Sequence, residues 1–259
     1  MTNDYSVDWN EEGAVFTIRR PAKFNAITRN VIAGLTEVLD DLEAGKGRSL
    51  IVMGEGEKAF CAGTDLSEAS GLSPEELDAK SDTARALFFR LYKSKVITIA
   101  AVNGLAFGGG LELAMSCMFR IAAPHATMSL PEVKLAVVPA YGGTQMLPVL
   151  VGRSHALDMM LTGRTVGTDE ALRIGLINRL ATADEDLLTQ AQAYLRTMTC
   201  YSHSAITAIC DCMDTAGGVV TDEGMALEEA AVKRVAKSYD RYEGIAAFLE
   251  KRAPKFEHR

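Results

Sequence analysis

Residues 101–114 read Ala101-Val102-Asn103-Gly104-Leu105-Ala106-Phe107-Gly108-Gly109-Gly110-Leu111-Glu112-Leu113-Ala114, and the rest of the chain is best read outward from them. The stretch ends a β-branched run at 96–102 (VITIAAV), passes through three consecutive glycines and enters an apolar segment. Glycines permit backbone angles and close approaches that a Cβ blocks, and the first N–H groups of a following helix have no carbonyl partner within it. Such a turn presents an N–H to an oxygen that becomes negative during a reaction. The alternative is that the glycines only let a helix press closely on a strand. Residues 96–119 are long enough to raise the question of a membrane span, but Asn103, Glu112 and the glycine run are costly or unusual against lipid. A buried strand, a glycine turn and a buried helix fit better.

Upstream, residues 14–18 (AVFTI) and 49–53 (SLIVM) are also β-rich without clean alternation, as expected of strands covered on both faces. Between them Val31, Leu35, Val38, Leu39 and Leu42 recur at helical spacing, with Thr28 placed to cap the helix and Gly45 to stop it. Ser73-Pro74-Glu75-Glu76 has the form of a capping box with proline at the first helical position, which predicts a helix running toward Tyr92. Shorter strands are expected at 120–123 and 127–130. Strands alternating with helices make the fold class α/β. From about Ser154 the β-like runs largely vanish. Residues 155–161, 168–174, 185–199 and 223–252 read as helices, the last broken near Gly244, and with no Pro/Ser-rich linker before them they are expected to pack on the core.

With 259 residues, 48% apolar and 24% charged, the chain has the balance of a globular protein whose core needs no disulfides. Lys+Arg 27 against Asp+Glu 34 leaves a net charge of −7, which opposes phosphate backbones and anionic membranes. No Lys/Arg stripe with interleaved aromatics is present, so neither nucleic acid nor membrane is an expected partner. Any anionic ligand needs a local site. Cys61, Cys117, Cys200, Cys210 and Cys212 follow no zinc or disulfide spacing, and His125, His155, His203 and His258 follow no ligand spacing, so no metal is expected. The opening MTNDYSVDWNEEG lacks a basic region followed by an apolar stretch, and the expected location is cytoplasmic.

Glu112 interrupts the apolar helix start, so it is surface-near, paired or kept for chemistry. A second carboxylate stands in Leu130-Pro131-Glu132-Val133, and 132 − 112 = 20 residues separate the two. A strand returning from the end of the Glu112 helix brings both to one pocket, where repulsion and burial raise at least one pKa and yield an acid and a base from the same side-chain type. Two unrelated surface glutamates are the other reading. A third segment, Lys58-Ala59-Phe60-Cys61-Ala62-Gly63-Thr64-Asp65-Leu66, follows the SLIVM strand; its small residues allow a sharp turn that aims a second N–H into the cleft, or it is a plain loop with Asp65 as a helix cap.

Together these segments resemble the crotonase superfamily, and most closely its enoyl-CoA hydratase/isomerase family. The resemblance covers nearly the whole chain: Pro21-Ala22-Lys23-Phe24-Asn25-Ala26, AFCAGTDL, AVNGLAFGGGLELA, LPEVKLAVVPAYGGTQ, and Ser238-Tyr239-Asp240 through AFLEKRAPKF, in family order. It implies a spiral core of ββα turns holding an acyl-CoA site over residues 1–200 and a C-terminal helical trimerisation or lid region over 201–259, assembled as homotrimers or homohexamers. It places the oxyanion hole on the backbone N–H groups of Thr64 and Gly109 and the catalytic carboxyls on Glu112, the water-activating base, and Glu132, the proton donor. The implied substrate is an acyl-CoA thioester, with no cofactor beyond the coenzyme A carried by the substrate. Ala62, Asp65 and Leu66 are implied to line the adenine and pantetheine end through backbone contacts, with Lys23 near the phosphates. Phe248 and Lys251 match positions that in some relatives reach the coenzyme of a neighbouring subunit. An ordinary solvated lysine remains the other reading of Lys23 and Lys251.

The implied activity is reversible addition of water across the 2,3 double bond of an enoyl-CoA, a lyase reaction of fatty acid β-oxidation. Double-bond isomerisation or other acyl-CoA lyase or hydrolase chemistry is the runner-up, and a non-catalytic or RNA-binding relative ranks last. The chain departs from the family pattern at Met118, where Asp is common, and at Met146, where Arg is frequent. Phe107 and Tyr141 are bulkier than the small residues often found there and are expected to reshape the acyl pocket.

Overall fold

The computed structural model describes residues 4–65, 68, 74–215, 222–235 and 237–257. These divide into two compact units, residues 1–195 and 196–259. In the first, β1 (Tyr5–Trp9) pairs antiparallel with β2 (Gly13–Ile18), after which β3 (Ser49–Gly54), β5 (Ile97–Val102), β7 (Phe119–Ala122) and β10 (Arg179–Leu180) extend a six-stranded sheet in parallel. A second sheet has the order β4 (Ala59–Cys61), β6 (Leu105–Phe107), β8 (Thr127–Ser129) and β9 (Val166–Gly167); only its β8–β9 pair is antiparallel. The helices of this unit are α1 (Arg29–Asp41), α2 (Pro74–Lys93), α3 (Gly109–Ser116), α4 (Gly143–Thr162), α5 (Thr168–Arg173) and α6 (Leu187–Thr199), whose last residues enter the second unit. The chain thus repeats one move: a strand in the large sheet, a strand in the small one, then a helix. β3–β4–α2, β5–β6–α3 and β7–β8–α4 are successive turns of that spiral, each adding one parallel strand to both sheets.

The continuous apolar runs are covered on both faces, as their lack of alternation predicts. Every residue of β5 is buried, and β2 and β3 are buried at all but one position each. Thr28 caps α1, its Oγ1 accepting the Val31 N–H at 3.2 Å, and the helix unwinds through Leu42–Lys46 with Gly45 at φ 94°. Ser73 of the expected capping box lies outside the described residues.

Three expectations are corrected. The helix expected at 155–161 is the second half of α4, which begins at Gly143 and bends at Gly152 (φ 76°, ψ 157°). α7 (His203–Thr215) was not expected as a helix. The segment 223–252 is interrupted between α8 (Asp222–Val235) and α9 (Tyr239–Glu250), so Gly244 lies within a helix. In the second unit Arg234 ties α8 to Asp211 of α7 at 2.8 Å, and residues 252–257 fold back on α9 through Arg252–Glu243 and Glu257 N–H to Asp240 Oδ1.

Candidate active site

The glycine run turns the chain and lets the helix press closely on its neighbours. Gly108 has φ 53° and ψ −128°, a conformation essentially reserved for glycine, and turns the chain from β6 into α3. Gly110 permits close packing, since a Cβ there would run into the Cys61 carbonyl of β4. All eight residues of α3 are buried, and Gly109 occupies its first position, where a backbone N–H has no partner within the helix.

The second loop is held against this turn. Ile27 and Thr64 form an isolated parallel bridge, in which Ile27 N–H donates to the Gly63 carbonyl (2.8 Å) and Asp65 N–H to the Ile27 carbonyl (3.0 Å). Backbone groups of successive residues in an extended segment face opposite ways, so the Thr64 N–H points away from Ile27. Gly63, at φ 96°, packs on the glycine turn so closely that a Cβ would stand 3.2 Å from Gly109 N. Thr64 and Gly109 are therefore brought together.

Glu112 is 1% exposed, and its Oε1 accepts two backbone N–H groups, from Tyr141 and from Gly143 at the start of α4, both at 2.8 Å. Burial pushes its pKa up to about 7 against the opposing effect of those two donors, with a further upward contribution from the charge of Glu132 and a downward one from Arg85. Glu132 opens the short 3-10 turn Glu132–Leu135 after β8. Its Oε1 lies over the glycine turn, 3.0 Å from where a Gly108 Cβ would stand, and its Oε2 is buried with no hydrogen-bond partner among the described residues. Burial raises its pKa as well. Glu132 thus reaches the Gly108 turn from the end of β8, while Glu112 of α3 is held by the 141–143 loop and feels the charge of Glu132.

Tyr141 touches most of this site. Its hydroxyl is 2.6 Å from Thr64 Oγ1, its ring lies where a Gly109 Cβ would be 2.9 Å from Cε2, and it packs edge-on against Phe88. Phe107 is half-buried at the end of β6, its carbonyl beside Gly63. Lys23 and Ala62 are exposed neighbours, because Ala62 N–H donates to the carbonyl of Phe24 at 2.9 Å. With the N–H groups of Ala62 and Asp65 engaged in the fold, a ligand contact from Ala62 falls to its carbonyl. The Asp65 carboxylate is buried and ion-paired with Arg20 Nη2 at 2.8 Å, while Arg20 also binds Asp4 and the Ala26 carbonyl; Asp65 therefore pins the 20–28 segment to this loop. Leu66 lies outside the described residues, as does the side chain of Phe248. Lys251, exposed at φ 55°, belongs like Phe248 to the second unit.

Sequence reasoning missed the Tyr141 and Gly143 N–H groups and Arg85, whose Nε donates to the Ala140 carbonyl at 2.9 Å and so anchors the loop that holds Glu112. Backbone donors have no signature beyond the Gly142-Gly143 pair that permits their turn. Cys61 and Cys117 are fully buried thiols, pushed up to about 12 by that burial and inert at neutral pH. Among the described residues no cluster of metal-binding side chains is present, and no helix is long and apolar enough to cross a membrane.

Comparison with known proteins shows the family. A family model described as enoyl-CoA hydratase/isomerase matches residues 9–259. A protein of Mycobacterium bovis named probable enoyl-CoA hydratase is 38% identical over 98% of this chain and 97% of its own length. An enoyl-CoA isomerase/hydratase of Zymoseptoria tritici is 36% identical over 96% of this chain and 84% of its own length. The crystal structure of an enoyl-CoA hydratase from Bacillus anthracis superposes with a TM-score of 0.94 at 32% identity, covering 99% of this chain and all of that one.

Proposed function

The chain belongs to the enoyl-CoA hydratase/isomerase family of the crotonase superfamily, and on that premise we propose that it adds water reversibly across the 2,3 double bond of an enoyl-CoA thioester. One observation carries this reading: a buried carboxyl, Glu112, and a half-buried one, Glu132, are both held above their usual pKa range, and Glu112 feels the charge of Glu132, beside the loop where Gly63 packs against Gly109. Water addition needs a base for the water and an acid for carbon, whereas a shift of the double bond can be managed by one carboxyl.

In the proposed reaction the thioester oxygen sits between the N–H groups of Thr64 and Gly109. Ionised Glu112 takes a proton from water as the water oxygen bonds to C3, and the π electrons move toward C2 and the thioester oxygen. The two donors stabilise the enolate-like charge, and loss of one such donor typically costs about 2.7–4 kcal/mol in the barrier. Protonated Glu132 then delivers its proton to C2. Its unpartnered Oε2 supports that role, since a buried oxygen without a donor favours the protonated form. Proton exchange with solvent resets the pair, and the sum is one water added with no oxidant, reductant or metal consumed. Lys23 and Ala62 are proposed to meet the coenzyme end. Assembly as a trimer or pair of trimers is proposed with it, supported by the exposed apolar side chains of Leu135, Val137 and Val138 beyond Glu132.

Glu112→Gln and Glu132→Gln are each expected to lower crotonyl-CoA hydration by on the order of 10²–10⁴. Mass spectrometry separates the outcomes, because hydration adds the mass of water and isomerisation leaves mass unchanged. Near-wild-type turnover in either variant, or isomerised product alone, overturns the hydratase reading.

A further inference from the structure

Two clefts, each of about 650 Å³, meet at the side chain of Tyr141. One runs between α1 and α2 and includes charged Arg29, Glu37, Glu76 and Lys80 in its lining. The other runs between α2 and α4, where Ala86, Phe89, Tyr92, Met146 and Val149 share the lining with Asp82, Arg85 and Gln145. The lining of neither includes Glu112 or Glu132. Tyr141 lines both clefts, while its side chain is fixed against the site by Thr64, Gly109 and Phe88.

We propose that Tyr141 is a partition that closes the α2–α4 cleft to the acyl chain and makes short-chain enoyl thioesters the preferred substrates. The inference rests on the acyl-CoA reading above. A thioester whose oxygen lies between the N–H groups of Thr64 and Gly109 is next to the two residues that Tyr141 touches, so its acyl carbons meet the ring within the first few bonds. Of the two clefts, that between α2 and α4 has fewer charged residues in its lining, Asp82 and Arg85 against Arg29, Glu37, Glu76 and Lys80, and the larger apolar side chains Phe89, Tyr92, Met146 and Val149, so it better suits a hydrocarbon tail. The hydroxyl bond to Thr64 and the edge-on contact with Phe88 hold the ring across the passage instead of leaving it free to swing.

Burial of one methylene is worth about a fourfold change in binding, so opening the cleft has a large readable effect. The test measures kcat/KM for crotonyl-CoA and 2-decenoyl-CoA, together with calorimetric binding of the unreactive butyryl-CoA and decanoyl-CoA. Tyr141→Ala is expected to raise the long-to-short ratio at least tenfold in both measurements. Tyr141→Leu, which keeps an apolar side chain against Phe88, is expected to raise it less and serves where the alanine variant does not fold. Tyr141→Phe removes the hydroxyl but keeps the ring, and its ratio is expected to stay within about threefold of wild type. Adding Ala86→Trp to Tyr141→Ala refills the cleft and is expected to return the ratio toward the starting value. An unchanged ratio in the folded alanine and leucine variants, with both ligands bound, overturns the partition alone. Failure of the wild-type protein to bind either acyl-CoA overturns the substrate reading and the partition with it.

Discussion

Glu112 and Glu132 are the same side chain in opposite surroundings. Glu112 projects from a fully buried helix, and one of its oxygens is gripped by two backbone N–H groups at 2.8 Å, one of them the first donor of α4. Glu132 sits on a short turn followed by exposed Val133 and Leu135, and one of its oxygens has no partner among the described residues. Burial raises both pKa values; two backbone donors from the 141–143 loop oppose that rise at Glu112, whereas at Glu132 only its own backbone N–H does. The difference suits the two proposed roles: a carboxyl that is fixed and can be ionised near neutrality orients and deprotonates water, and one with an unpartnered buried oxygen retains a proton to deliver. It also predicts that Glu112 tolerates displacement less well than Glu132.

Glycine substitutions break this symmetry most directly. In Gly143→Ala the new Cβ would stand 2.9 Å from Glu112 Oε1 and 3.1 Å from both Glu112 Cγ and Pro139 Cβ, so the carboxyl, the loop or both must move. A displacement of about 1 Å costs on the order of 10² in rate, and crotonyl-CoA hydration is expected to fall by at least that much. In Gly108→Ala the Cβ meets only the far end of the Glu132 side chain, at 3.0 Å, which can swing aside. The cost there is chiefly backbone strain at φ 53°, about 1–3 kcal/mol of stability measured by denaturant unfolding, with a smaller loss of rate than in Gly143→Ala. Equal rate losses would remove the contrast between a fixed and a movable carboxyl.

The contrast sharpens in the pH dependence of stability. Glu112 has a folded pKa of about 7, above the ordinary glutamate value of 4.5, so it binds more protons folded than unfolded between these pH values. Its favourable contribution is complete below the unfolded pKa and is lost as pH rises through about 7, a difference of roughly 3 kcal/mol. Glu112→Gln keeps an acceptor oxygen for Tyr141 and Gly143 but carries no charge. Unfolding at pH 5 and pH 8.5 is therefore expected to show the variant gaining on wild type by about that amount at the higher pH. Glu132→Gln is expected to change in the same direction by less, because Glu132 is less completely buried.

The sheet core was legible where burial on both faces writes itself as an unbroken apolar run, in β2, β3 and β5, and where Thr28 and Gly45 bound α1. The three-residue strands β4 and β6 are too short for any periodicity, yet they carry the two loops that approach each other at Gly63 and Gly109. The first half of α4 is hidden by Pro148 and Gly152, which read as breakers although the helix accommodates the first and bends at the second. Glu112 was legible because a charge among leucines is anomalous. Its anchors were not, because a backbone N–H belongs to every residue type except proline.

Arg85 gives the smallest effect and the finest separation. It holds the Glu112 loop through the Ala140 carbonyl, and its charge favours ionised Glu112, but its side chain is 53% exposed and shares an ion pair with Asp82. Solvent screens such a charge, and a net hydrogen bond of about 0.5–1.5 kcal/mol limits the loss in Arg85→Ala to roughly tenfold in kcat. Two components of that loss respond differently to lysine. Without the positive charge Glu112 takes up protons more readily, so the acid limb of the kcat/KM profile moves to higher pH. Lysine restores a charge and returns the limb, but it lacks the planar guanidinium that holds Nε to the Ala140 carbonyl, so kcat stays low. If Arg85→Lys recovers both, the residue acts on Glu112 through its field alone; recovery of the limb without kcat assigns it the further task of holding the loop in place.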